Sequence, residues 1–304
     1  MNWLLSLLVY VMHILVVPLL LIGFVGVVKA RLHNRRGPSI VQPFWDMAKL
    51  LTKSETISET SSGIFLLAPV LNLAAVVAAS LMVPWLGLSS PITGDLFLVV
   101  YVLAAGKFVM GLAALDTASA FGAIGASREA AVSVNAEPAL LLGLAALGVH
   151  AHSSRLAALL APAPGNELTA ILAALVVLAA WISIVADLSR MPVDDPATHL
   201  ELTMIHEALI LENSGRNLAL IEFAVALKTA MLIGLVAQII QMVLPHSSAA
   251  VSYIITLLLL VGAAISLAVS ETVLVKLSWK RVPNLQSFGI GAAVLACLLV
   301  ALRG

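Results

Sequence analysis

The chain has 304 residues, 61% hydrophobic and 11% charged, with a formal net charge of zero. A soluble domain of this size needs more polar surface to cover its core, and the balanced charge argues against a general polyanion-binding role, nucleic acid included. The one cysteine, Cys297, cannot form an internal disulfide or hold an iron–sulfur cluster, which takes about four ligands. Any redox centre therefore sits on a partner, and Cys297, in the last apolar stretch, reads as a small packing residue.

Apolar runs predict helices over about 3–28, 64–86, 96–115, 138–150, 170–188, 219–243, 251–274 and 287–302. Several approach the roughly 20 residues that a helix needs to cross a bilayer. Helix is the reading for such runs because backbone groups cannot stay unpaired in lipid. The first run is too long for a signal-peptide core and has no basic segment before it, so it is kept as a helix. The fourth could start earlier, within Ala130–Ala136. Pro18, Pro69 and Pro84 fall in or near helices, which packed membrane helices tolerate. The predicted fold is an all-α integral membrane protein. It forms one transmembrane domain over residues 1–304, with about eight crossings, long cytoplasmic loops and an amphipathic interfacial helix.

Twelve basic residues (Lys29, Arg31, Arg35, Arg36, Lys49, Lys53, Arg128, Arg190, Arg216, Lys276, Lys280 and Arg281) fall on one side of the predicted crossings. The other side holds Arg155 and Arg303 alone. This bias makes the first side cytoplasmic and places both termini on the periplasmic side of a bacterial inner membrane. The outer connections, with Gly87, Pro91, Pro162, Pro164, Gly165 and Pro245, read as plain turns.

Three inner segments are ionic. In the first, residues 31–53, Pro43 is placed to start a helix whose Phe44, Trp45, Met47, Ala48, Leu50 and Leu51 lie in the membrane interface, with Asp46, Lys49 and Lys53 toward water. A plain basic anchor that sets topology is the alternative. The second, residues 115–138, carries glycines suited to a sharp turn or close approach, and sets Arg128, Glu129 and Glu137 near the mouth of the bundle, or in an ordinary solvated loop. The third runs from Arg190 to Gly215. Asp194 or Asp195 can cap a helix opened by Pro196, with His199, Thr203 and His206 on one face and Gly215 as a stop. His206–Glu207 opens like a zinc-protease motif, but position 210 is Ile, so that motif is rejected.

Lys107, Asp187, Glu222, Lys228 and Glu271 fall in or near the helices. Charge inside a membrane costs several kcal/mol per group, so these side chains should face one another or water. They form either a polar path into the bundle or structural pairs between helices.

Arg35-Arg-Gly-Pro38, Gln42-Pro, Asp46 with Lys49-Leu-Leu, Gly125-Ala-Ser-Arg-Glu129, Glu137, Pro192-Val-Asp194 and Glu201-Leu occur in order along nearly the whole chain. In these motifs the chain resembles the membrane subunit shared by respiratory complex I (its subunit 1, or H) and membrane-bound group 4 [NiFe] hydrogenases. The short Gly37-to-Pro43 element, Leu115-Asp-Thr and the Gly125–Glu129 run resemble the formate hydrogenlyase and hydrogenase-4 (component C) branch. Arg128, Glu137, Asp194 and Glu201 match family positions, and Asp116 and Glu271 match the hydrogenase branch.

The resemblance implies a non-catalytic subunit of an oxidoreductase complex that anchors a peripheral module and couples its electron transfer to proton or sodium movement. Expected partners are hydrogenase-like large and small subunits, an iron–sulfur protein and antiporter-like membrane subunits. Iron–sulfur clusters and a NiFe centre would sit on those partners, with no cofactor or metal on this chain. The implied ion path takes in Asp116, Glu129, Glu137, Asp194, Asp195, His199, Glu201, Glu207, Glu212, Lys228 and Glu271. Arg31, Arg35, Arg36 and Arg128 are the expected docking residues.

The chain departs from the family in Val193, Ala197 and His199, where a Phe and acids are usual, and in extra residues before Glu212. Four readings stay open: the hydrogenase-type coupling subunit, a quinone-binding subunit of an NADH–quinone oxidoreductase, a relative whose peripheral module has lost hydrogenase chemistry, and a free-standing secondary transporter. Inverted repeats or broken helices would mark the last, and none is found.

Overall fold

The computed structural model describes residues 3–88, 90–163, 167–194, 205–245 and 248–302. The predicted Pro164, Gly165, Asp195, Pro196, Ala197, His199, Glu201, Thr203 and Arg303 lie outside the described residues.

Eight helices are long and apolar enough to cross a membrane. They are α1 (Trp3–Leu32), α3 (Gly63–Met82), α4 (Leu96–Asp116), α5 (Ala120–His150), α7 (Glu167–Asp187), α9 (Gly215–Gln241), α10 (Ala249–Val273) and α11 (Val282–Ala301). Between them lie α2 (Gln42–Thr52), α6 (Leu156–Leu159) and α8 (His206–Ile210). Helix α9 is enclosed along most of its length and packs on α1, α2, α3, α7 and α10. Helices α5, α7 and α11 pack together on one flank, and α3 pairs with α4 on another. The main core holds fully buried Trp85 and Tyr10, and a second apolar cluster gathers around Phe65. Both polar handles there are satisfied: the Tyr10 hydroxyl donates to the Val83 carbonyl, and the Trp85 indole N–H donates to Ser80 O at 3.2 Å.

The interfacial helix forms as expected. Pro43 sits at its start, and Phe44, Met47 and Leu50 turn partly inward beneath α9 and α1. Asp46 and Lys49 are exposed, and Trp45 and Leu51 leave an uncovered apolar strip.

Three expectations are corrected. The second inner segment is not a loop. Helix α5 starts at Ala120, so Arg128, Glu129 and Glu137 lie along it and Pro138 is interior. Its mean hydropathy of 1.6 is the lowest of the eight spans, which is why an apolar-run criterion truncates it. At 31 residues it is about 46 Å long, more than a hydrocarbon core of about 30 Å requires. Helix α3 ends at Met82 rather than 86, because Pro84 disfavours helical backbone at Val83. Gly215 does not stop a helix but opens α9. Its φ is +52°, and an added Cβ would meet Ser54 O at 2.8 Å, in a joint where the Thr56 N–H donates to Ser214 Oγ at 2.9 Å.

Gly125 lies at a close approach of α5 to α8: an added Cβ would lie 2.6 Å from the Leu209 nitrogen. Gly125→Ala should therefore lower stability in detergent by about 1–3 kcal/mol through overpacking. Gly291→Ala, where a Cβ meets nothing within 4 Å, should not. Thermal unfolding of the two variants beside the parent protein checks this, and equal midpoints would remove the packing argument.

Candidate functional site

Lys107 stands on α4, nine residues from its inner end at Asp116, or about 14 Å at the usual helical rise. A lone ammonium at that depth needs partners, and two helices, α7 and α5, supply them. Asp187, the last residue of α7, holds Lys107 in a close ion pair and Lys228 of α9 at 2.6 Å. On α5, Ser133 Oγ accepts from Lys107 Nζ at 2.9 Å, Glu137 Oε1 lies at 3.2 Å and Glu129 Oε1 at 3.7 Å. Ser133 and Glu137 are one helical turn apart, and Glu129 is one turn before Ser133, so a single face of α5 offers all three. The sequence expectation set Lys228 nine residues from the inner end. Helix α9 begins earlier, so Lys228 lies 13 residues in, about 20 Å along the helix.

Two small cavities join this cluster. One, of about 60 Å³, is lined by Lys107, Glu129, Asp187, Lys228, Asn72 and His206 of α8. The other, of about 30 Å³, touches Lys107, Glu137, Asp187, Lys228 and Ser183, whose hydroxyl is buried with no hydrogen-bond partner. A water needs at least about 10–15 Å³ of such space and a few polar partners, so both are large enough for water and carry the polar groups to hold it.

Two further networks tie the inner ends of the bundle. Glu271 of α10 meets Lys29 of α1 at 2.6 Å and Arg190, just past α7, at 3.2 Å. Asp194 is buried, pairs with Lys276 at 2.7 Å and accepts from the Ile205 N–H at 2.7 Å. Ser189, beside Arg190, donates to Glu129 Oε2 at 3.4 Å, which links these networks to the deep cluster. Burial pushes the His206 imidazole below its ordinary value. Glu207 and Asp194 oppose that shift, while Arg190 and Lys228 add to it.

Of the residues expected on the path, Glu129, Glu137 and Lys228 converge in the cluster, and Glu271 and Asp194 form the two inner networks. Asp116 instead accepts from the Ser62 N–H at 2.6 Å, joining α4 to the start of α3. Glu207 is the second residue of α8, and Glu212 is exposed just after it. Asp195, His199 and Glu201 are not described. Arg31, Arg35 and Arg36 are exposed at the end of α1 and in the segment after it, whereas Arg128 lies on α5 with its guanidinium 5.8 Å from the Trp279 ring centre. The ion path that the family resemblance implies omits Lys107, Asp187 and His206, although Lys107 and Asp187 are among the charges that read in the sequence as a polar path or structural pairs. A charged residue inside an apolar run flags the first two, but only the folded bundle shows that they share partners. Among the described residues, no group of three or more His, Cys, Asp or Glu side chains could hold a metal ion.

Residues 5–302 match the protein family described as NADH dehydrogenase. The chain is 30% identical over 285 residues to formate hydrogenlyase subunit 4 of Escherichia coli (strain K12), covering 91% of this chain and 92% of that protein. It is 30% identical over 283 residues to hydrogenase-4 component C of the same organism, covering 88% and 87%. A chain in the structure of the membrane-bound sulfane sulfur reductase, an archaeal respiratory membrane complex, matches with a TM-score of 0.79 over 99% of this chain and 100% of that one. At 19% identity that likeness is one of fold.

Removing the charge that both lysines share should be costly. Asp187→Ala should destabilise the detergent-solubilised protein by about 3–5 kcal/mol, because it removes the carboxylate that Lys228 pairs with and one of the partners of Lys107. The double change Asp187→Ala with Lys228→Met should cost less than the sum of the singles. Midpoints from thermal unfolding test this, and additivity would argue against the shared pair. The sign of the pH effect follows from His206, whose folded-state value lies below its unfolded 6.5. Unfolded chains then bind more protons in the window beneath 6.5, so stability falls as pH drops through it. His206→Gln should flatten that loss, read from unfolding midpoints at about pH 7 and about pH 5.

Proposed function

We propose a function from one premise: the chain belongs to the NADH dehydrogenase family of membrane subunits, in company with formate hydrogenlyase subunit 4 and hydrogenase-4 component C. It is the membrane-anchoring and energy-coupling subunit of a multisubunit, group 4 hydrogenase-like complex. The observation that carries the coupling role is the five-charge cluster of Lys107, Glu129, Glu137, Asp187 and Lys228, mostly enclosed by the helices and open at Glu137.

Three carboxylates share two ammoniums there, so the fully ionised cluster holds one negative charge more than its cations balance. In a low-dielectric site that excess favours uptake of one proton, and any shift of a lysine between carboxylates changes which group takes it. The inner loop has a handle on this balance. Arg190 holds Glu271, and its neighbour Ser189 donates to Glu129. A redox event in the peripheral module that displaces this loop would alter the cluster's proton affinity, and the two small cavities give water a place to relay the proton. Ions then pass through neighbouring antiporter-like subunits. The iron–sulfur clusters and the NiFe centre belong to the peripheral subunits, and this chain has no catalytic residue of its own.

The basic inner end, with exposed Arg31, Arg35 and Arg36, supports docking of the peripheral module on the cytoplasmic side of a bacterial inner membrane, with both termini outside. Family membership favours this reading over a free-standing transporter. The short Gly37–Pro43 element favours it over a quinone-binding subunit.

The test uses the whole complex, purified in mild detergent and returned to liposomes. Lys107→Ala and Lys228→Met should each reduce redox-driven ion uptake about tenfold or more while the peripheral module still turns over with soluble electron carriers. Mass spectrometry and metal analysis of the same preparation should find hydrogenase-like and antiporter-like subunits with nickel and iron. Uptake unchanged in both variants would sink the coupling role, and recovery of the chain alone without metal would sink the complex.

A further inference from the structure

The cluster is not sealed on all sides. Between α4 and α5 lies an open groove of about 520 Å³, with Lys107, Glu129, Ser133 and Glu137 on its floor. Its walls are apolar and uncovered: Phe108 is 67% and Leu115 54% exposed. On α4 the lining runs from Ala104 to Leu115, and on α5 from Ala123 to Glu137, so the groove is about 16–21 Å long, three to four helical turns.

Two features say what fills it. The α5 wall is made of Ala123, Ala126, Ser127 and Ala130, small side chains that let another helix backbone come close, as at helix interfaces in membranes. The second feature is charge. Lys107 has three N–H donors, and Asp187, Ser133 and Glu137 lie within hydrogen-bonding distance of them. That leaves the cluster one carboxylate in excess, and the carboxylate most open toward the groove is Glu137, with 32% of its side chain exposed against 12–14% for the other four charged groups. A lipid tail could fill the walls but could not answer that charge. In the bilayer the spanning element that can do both is a helix.

We propose that this groove receives a transmembrane helix of a partner membrane subunit, and that the helix places a lysine or arginine against Glu137. The proposal rests on the reading that the chain works inside a membrane complex, and it adds the face used and the charge the partner brings. The partner's cation would complete the neutralisation of the cluster, so binding of the neighbour and the protonation state of the cluster would be linked.

The test is photocrosslinking in native membranes, with Phe108 replaced by p-benzoylphenylalanine and Leu258 of α10, 66% exposed, replaced likewise as the control. The Phe108 site should yield an adduct with a membrane-spanning helix of another subunit, with a lysine or arginine within one turn of the linked residue. The Leu258 site should not reach that helix. Glu137→Lys should reduce the Phe108 adduct about tenfold through like-charge repulsion, and reversing the partner's cation to Glu should restore it. Glu137→Gln, which keeps the side chain's shape, should also weaken the adduct if Glu137→Lys fails to accumulate. An adduct with a helix lacking a basic residue, with a second copy of this chain, or with lipid alone overturns the proposal. If hydrogenase-like subunits still co-purify in that case, the coupling function stands. If the chain is recovered alone, both fall.

Discussion

Everything at the centre of this molecule depends on how a bilayer-spanning bundle accommodates charge. Lys107 and Lys228 lie too deep on their helices for easy snorkelling to water, and each left alone would oppose insertion. Asp187 answers both, from the last turn of a third helix, and α5 contributes two more carboxylates and a hydroxyl. The helices α4, α5, α7 and α9 are thus held in one mutual arrangement by partners that none could find elsewhere. Burial makes the network costly to break and sensitive to one proton more or less, because interactions in a low dielectric are strong in both directions.

The same economy appears at the inner end. Glu271 gathers Lys29 and Arg190, and Asp194 gathers Lys276 and the Ile205 backbone. These pairs draw together the ends of α1, α7 and α10 and the start of α8, at the side where the exposed arginines of the first inner segment stand. Long-range coupling needs an element with more than one arrangement whose balance both sites can bias. The segment after α7 touches both places, since Ser189 donates to Glu129 of the deep cluster while Arg190 and Asp194 hold the inner networks.

The length of α5 gives this arrangement its shape. A helix about 46 Å long exceeds what a core of about 30 Å requires. Glu129 and Glu137 lie two turns apart on one face of a continuous rod, both within reach of Lys107. A flexible loop in the same place could not hold carboxylates at fixed depths. Gly125 lets α8 press against this rod, so the short helix bearing His206 is seated directly on the element that carries Glu129 and Glu137.

Several of these features are legible without a fold. Runs of about 20 apolar residues force membrane-crossing helices because unpaired backbone is intolerable in lipid, and the clustering of basic residues orders the two sides. The interfacial helix follows from Pro43 and the residues after it. Glu137, Asp194 and Glu271 stand out through the motifs around them. The true extent of α5 is less visible, because its first half is rich in Ala, Gly and Ser, and low hydropathy reads as a loop until neighbouring helices supply the packing. The turn of Gly215 from an expected stop to a start is decided by the backbone of residues 53–54 pressed against it.

By itself, then, the sequence determined the class of protein, the number and order of its membrane-length helices and the family. Which charges meet was decided by tertiary structure alone. Lys107 and Asp187 are 80 residues apart and Asp187 and Lys228 41 apart, and no local periodicity relates them. Their pairing depends on how four helices rotate about their own axes to bury charge, a choice that exists once the whole bundle has packed.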